Sequence, residues 1–163
     1  MAAKPAASVL EKIVPGGQTG VDRAALDAAL AAGFPCGGWA PKGRMTEDGA
    51  IPKRYPLDEC SIAGNAERTR FNVRDSDATL ILTRGEPAGG TQLTVEWADK
   101  LSKPTLVVDL AQPTDPDGIA DWLEGERAKV LNVAGPREST VPGIGAAAAA
   151  IMKAVLGIIQ QRS

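Results

Sequence analysis

The chain has 163 residues, 44% of them hydrophobic and 23% charged, with a formal net charge of -2, which is ordinary composition for one globular domain and argues against disorder. No basic stripe interleaved with aromatics is present, so sequence-independent nucleic-acid binding is not expected. Histidine is absent and only Cys36 and Cys60 occur, which removes Ser-His-Asp and Cys-His nucleophile pairs, an imidazole base and a tetrahedral zinc site, so no metal is expected and both thiols read as free.

The N-terminal Met1–Ser8 has no apolar stretch of signal-peptide type, and residues 1–10 read as a flexible lead into a single domain spanning 1–163. Lys12-Ile13-Val14 is a short strand running into Pro15-Gly16-Gly17-Gln18-Thr19-Gly20. A helix follows over about Val21–Ala32, with Asp22 in its first turn and Gly33 closing it. Phe34–Ala40 holds a second short strand. From Pro41 to Ser61 no clear periodicity appears, and a loop of that length inside a compact domain is usually functional.

Gly64–Ser76 reads as a helix bearing Arg68, Arg70, Asn72 and Arg74. Ala78–Thr83 is an unbroken apolar run, as expected of a parallel strand covered on both faces. The loop Arg84–Gly90 leads to a helix near Thr91–Leu101, and Pro104–Leu110 reads as another buried strand. Thr114 or Asp115 can cap a helix reaching Leu123, with Pro116 in its first turn. Val130–Ala134 is the last strand. The apolar stretch Val141–Ile159 is broken by Pro142, Gly143, Gly145, Lys153 and Gly157, so a buried or subunit-interface helix is expected rather than a membrane span. Strands alternating with helices predict a Rossmann-like three-layer α/β/α sandwich with a mainly parallel sheet.

Two glycine-rich strand-to-helix loops carry the candidate site: Gly16, Gly17, Gln18, Thr19 and Gly20, then Gly89, Gly90 and Thr91. Glycines allow backbone N–H groups to approach an anion, and the following helix adds free donors and its positive dipole end. In such sheets these loops flank the crevice at a topological switch point, so the pair is expected to clamp one phosphate-bearing ligand, with the Thr94 hydroxyl as a further donor. Lys42 and Arg44 are candidates to neutralise its charge, and Arg68 and Asn72 share a helix face at i, i+4 that can line the pocket. Neither loop is a Walker A motif. Asp75, Ser76 and Asp77 read first as turn formers and second as ligand contacts.

Taken together, Gly16–Asp27, Gly38–Arg44, Glu47-Asp48-Gly49, Tyr55-Pro56-Leu57, Arg68–Val73, Asp75–Leu80 and Gly89-Gly90-Thr91 resemble the molybdenum cofactor carrier family, within the Rossmann-like SLOG superfamily that also holds the LOG phosphoribohydrolases. The resemblance implies an oligomeric cytoplasmic protein, a dimer or tetramer, binding a nucleotide or pterin phosphate. Molybdenum cofactor is the carried ligand it implies, and a carrier needs no nucleophile. The LOG enzymes resemble this chain in a Gly-Gly-x-Gly-Thr-x-x-Glu signature, but Thr94 stands where their Glu would be. Glu96 lies two positions on, about 200° around the helix.

Three readings of function follow: a non-enzymatic carrier of a phosphorylated pterin, a nucleotide 5'-monophosphate N-glycosidase, or a nucleotide-sensing module. Glu96, Asp48 and Asp77 are the carboxylates the second would use. Phosphate binding is common to all three.

Overall fold

Every residue from Ala78 to Thr83 is buried, as an apolar run with no polar alternation requires of a strand covered on both faces. The computed structural model describes residues 9–61 and 65–163. In chain order it has β1 (Lys12–Ile13), α1 (Val21–Ala32), β2 (Trp39–Ala40), β3 (Met45–Thr46), β4 (Gly49–Ala50), β5 (Asp58–Glu59) and α2 (Asn65–Arg74). There follow β6 (Ala78–Thr83), α3 (Gly89–Lys100), β7 (Thr105–Asp109), α4 (Pro116–Gly125), β8 (Val130–Ala134) and α5 (Ile144–Arg162). The flexible lead expected at 1–10 lies mostly outside the described residues, as does Gly64 at the expected start of α2.

The sheet runs β1-β8-β6-β7 with every pair parallel. Ile13 also bridges Cys36 in parallel, and β2 pairs in parallel with β5. The chain thus leaves β1 in one direction, crosses to β6 and β7 in the other, and returns to insert β8 beside β1. That reversal opens a gap at the carboxyl ends of β1, β8 and β6.

Helices cover both faces. α1 and α4 pack against α5 on one side, and α2 packs against α3 on the other. The core joins Ile13, Val21, Ala25, Leu80, Leu82 and Leu131 to the stripe Ala148, Met152, Val155, Leu156 and Ile159 of α5. Truncating any one of its leucines to Ala would cost roughly 2–5 kcal/mol. α5 is the one described helix long and apolar enough in composition to cross a membrane, and this core accounts for its apolar stripe. Asp115 is the N-cap residue of α4 with Pro116 first in the helix, although its side chain makes no capping bond.

Two expectations need correction. β7 is an edge strand rather than a buried one, with Val107 45% exposed; an apolar run reads alike whether one face or two are covered. The segment 41–61 is ordered: it makes one 3₁₀ turn at Lys42–Arg44, the antiparallel hairpin β3–β4, and β5. Ile51, Tyr55 and Leu57 form a second small core with Leu26 and Ala40. Arg44 fixes the bend, donating to the carbonyls of Leu57 at 2.7 Å, Pro52 at 3.0 Å and Tyr55 at 3.0 Å. Two-residue strands held by side-chain bonds leave no periodic signal.

Candidate functional site

The loop after β1 turns tightly because α1 starts hard against the loop after β8. Gly20 has φ 77°, and a Cβ there would stand 2.3 Å from the Pro136 carbonyl oxygen, so only glycine fits. Val21 N donates to that same carbonyl at 3.3 Å. Gln18 is buried, and its Oε1 accepts from Thr19 N at 3.0 Å and from Glu47 N at 3.2 Å.

Beneath this loop lies a buried ion pair. Arg68 on α2 donates to the Gly16 carbonyl at 2.6 Å and stands 3.6 Å from the Asp22 carboxylate on α1. Asp22 also accepts from Gln18 N at 3.3 Å. Burial pushes the Asp22 carboxyl up to about 6, against the opposing pull of Arg68. Burial likewise lowers the Arg68 pKa, with Asp22 holding it up. Each group loses more hydration than its partner returns.

Above the pair is a crevice of about 240 Å³ at the carboxyl ends of β1, β8 and β6. Thr83 at the end of β6 and Asn132 in the middle of β8 line it from the sheet. The N-terminal turn of α3 forms one wall, and the segment from Gly135 to Val141 forms the opposite one. Gly89 and Gly90 bear the N–H groups that a helix start leaves without intrahelical acceptors, and space is open where either Cβ would sit. Arg68, Arg84 and Arg137 line the crevice together with Asp22 and Glu86, so the charged groups favour an anion.

Of the predicted residues, Gly16, Gln18, Arg68, Asn72, Gly89, Gly90, Thr91 and Thr94 line this crevice. Asn72 is also committed to the fold: its Oδ1 accepts from Trp39 N at 2.8 Å and its Nδ2 donates to Trp39 O at 3.2 Å. Gly17 turns away, its Cβ position facing Leu57 and Ile51. Thr19 and Gly20 face a separate open groove with Arg23, Glu47 and Ser139. Lys42 is exposed on the far loop, and Arg44 is occupied by four carbonyls of its own segment, those of Ile51, Pro52, Tyr55 and Leu57.

None of the three candidate carboxylates enters the crevice. Glu96 is exposed on the outer side of α3, near Asp99 and Lys103. Asp48 pairs with Arg23 at 3.1 Å and accepts from Thr46 Oγ1 at 2.6 Å. Asp77 lies at the amino end of β6, accepting from Lys129 N and Val130 N at 2.9 Å each. The acids that do reach the crevice, Asp22 and Glu86, were not singled out by sequence reasoning, nor were Arg84 and Arg137. Only Asp22 had a local signal, a carboxylate in the first turn after a glycine loop.

The family model for the circularly permuted YpsA SLOG family matches residues 13–156. The chain belongs to that family. It is also similar to a solved structure, at 1.45 Å, of a proposed molybdenum carrier protein from Syntrophus aciditrophicus SB. The two are 41% identical with a TM-score of 0.88, over 91% of this chain and 96% of that one. No curated protein sequence matches. The SLOG membership expected from the ordered segments between Gly16 and Thr91, and the Rossmann-like fold expected from alternating strands and helices, therefore hold.

Proposed function

We propose that this chain is a carrier of a phosphorylated pterin, with molybdenum cofactor as its cargo, and that the crevice anchors the cargo's phosphate. One observation carries the reading: the open N-terminal turn of α3 at Gly89 and Gly90 faces the same crevice as Arg68, Arg84 and Arg137. A helix N-terminus supplies oriented N–H donors and a positive dipole end, and arginine matches phosphate geometry. Thr91 adds a hydroxyl on the same wall, whereas the Thr94 hydroxyl donates back to the Gly90 carbonyl at 3.0 Å and braces the turn instead. Similarity to a protein described as a molybdenum carrier supports this choice of cargo. The reading goes with a cytoplasmic homo-oligomer that uses neither nucleic acid nor membrane.

A thermal-shift titration with molybdenum cofactor, AMP, ADP, GMP and inorganic phosphate tests it, with chromatography for released base. Ligand at about 100 times its Kd raises stability by roughly 2.7 kcal/mol through linkage. Selective stabilisation by molybdenum cofactor without turnover is the expected result.

A second reading is favoured by Asp22. A carboxyl raised to about 6 inside the crevice has the protonation range useful for general acid–base work. Nucleoside monophosphate N-glycosidic cleavage would then run through Asp22 or Glu86. Base release by the wild type, abolished in Asp22→Asn, would replace the carrier reading.

A further inference from the structure

Parallel pairing on β6 uses only half of the backbone groups of β7. Thr79 N donates to Pro104 O at 2.9 Å and Leu110 N to Thr83 O at 2.7 Å, while the register sets Thr79 against Thr105 through to Thr83 against Asp109. In a parallel ladder of this phase, Leu106 and Val108 turn their N–H and C=O groups towards β6, and Thr105, Val107 and Asp109 turn theirs outward. β7 ends the sheet on this side. Among the described residues no partner meets the Val107 N–H or C=O, the Asp109 N–H or the Thr105 C=O. The Val107 side chain is 45% exposed.

Edge strands are normally guarded by an internal charge, a proline or a bulge. Between Thr105 and Val108 this strand has none of these. Its ends are charged with opposite sign: Lys103 precedes it and Asp109 closes it, the Asp109 carboxylate held there by Gly85 N at 3.2 Å and Ala111 N at 2.9 Å. Parallel addition of a like strand would align equal charges. Antiparallel addition centred on Val107 brings each Lys103 diagonally near the partner's Asp109.

We propose that β7 is the docking strand for a second copy of this chain, joined antiparallel about a two-fold axis at Val107 into one continuous sheet. Val107 N–H then donates to the C=O of the partner's Val107, and Asp109 N–H to the C=O of the partner's Thr105, each in both directions. The interface is isologous, so it closes at a dimer and leaves no free edge on that side. It lies apart from the crevice, whose residues it does not use.

Sedimentation velocity across a micromolar concentration series tests the assignment. The wild type sediments as a dimer. Val107→Pro removes only an outward N–H, and Val107→Lys sets two like charges on the axis at an exposed position. Each is expected to raise the dimer dissociation constant by at least about tenfold, or 1.4 kcal/mol, with native far-ultraviolet circular dichroism. Should the proline variant fail to fold, the lysine variant carries the test. Val107→Cys gives a covalent dimer on oxidation, because hydrogen-bonded antiparallel partners sit about 5.5 Å apart at Cα, within disulfide span. A wild type monomeric throughout the series, or a dimer unchanged in Val107→Lys, overturns the proposal.

Discussion

The Arg68 guanidinium lies 3.6 Å from the Asp22 carboxylate, each side chain about a tenth exposed. They come from different helices, and the pair forms directly beneath the crevice. Its energetics are pH-dependent because Asp22 in the folded chain binds its proton more tightly than in the unfolded one, its pKa rising from 3.8 to about 6. Folding therefore takes up a proton between those values, so the Asp22 contribution falls as pH rises through that window and is flat on either side.

Wild-type stability in urea should decline relative to Asp22→Asn between pH 4 and 7, by at most about 3 kcal/mol for a shift of this size. A pH-independent difference between the two proteins would show that Asp22 titrates normally.

The two glycine loops should respond differently to a side chain. Gly90 has open space at its Cβ position and no positive φ, so Gly90→Val should change stability by no more than about 0.5 kcal/mol. It should nevertheless weaken phosphate-ligand binding by about tenfold or more. Gly17 has φ 85° and faces Leu57 and Ile51. Gly17→Val should cost roughly 1–3 kcal/mol, from the left-handed backbone and the crowding of two flexible side-chain ends. Titration calorimetry beside thermal unfolding separates the two effects.

Arg44 is expected to act on the fold and not on the ligand. Arg44→Met removes the guanidinium from four carbonyls, of which those of Ile51 and Leu57 accept from it alone, and should destabilise the protein by roughly 1–3 kcal/mol. Limited proteolysis should then cut within 45–60 first, while phosphate binding stays close to wild type. Loss of binding with stability intact would restore a direct role in ligand recognition.

Glu47 clasps two loops together: it accepts from Thr19 Oγ1, from Ser139 Oγ, and from Ser139 N at 3.3 Å. These bonds hold its carboxyl below the usual range, Ser139 contributing most. The stabilisation they give is present above the ordinary glutamate pKa and is lost as pH falls through the lowered one. In Glu47→Ala, amide exchange at Ser139 should be faster at neutral pH, and the wild type should approach it only in acid.

Much of the fold was legible because it is written locally. The run Ala78–Thr83 is apolar without interruption, and α1 is bracketed by a glycine loop and Gly33, so both elements could be placed to the residue. The edge position of β7 was not legible, since nothing within Pro104–Leu110 records how many strands lie beyond it. The site divided the same way. Glycine loops announced the crevice through backbone geometry, but Arg137 joins it only because β8 inserts between β1 and β6, and Arg84 and Glu86 give no local sign of which way they face. Asp77 serves the backbone, as its first reading had it, and its second reading as a ligand contact stayed open only because a carboxylate holding two amides has the same sequence as one holding a ligand. Lys42 and Arg44 misled because cations beside a glycine turn suit a phosphate and a bundle of carbonyls equally well.

The order found in residues 41–61 bears on how a ligand would come and go. That segment is pinned by Arg44, by Glu47 and by its own small core, and among its residues none lines the crevice. It acts as a buttress behind the first glycine loop and not as a door. A cargo bound between α3 and the Gly135–Val141 wall would therefore exchange directly with solution, its residence time set by how strongly it is held and not by the timing of a loop.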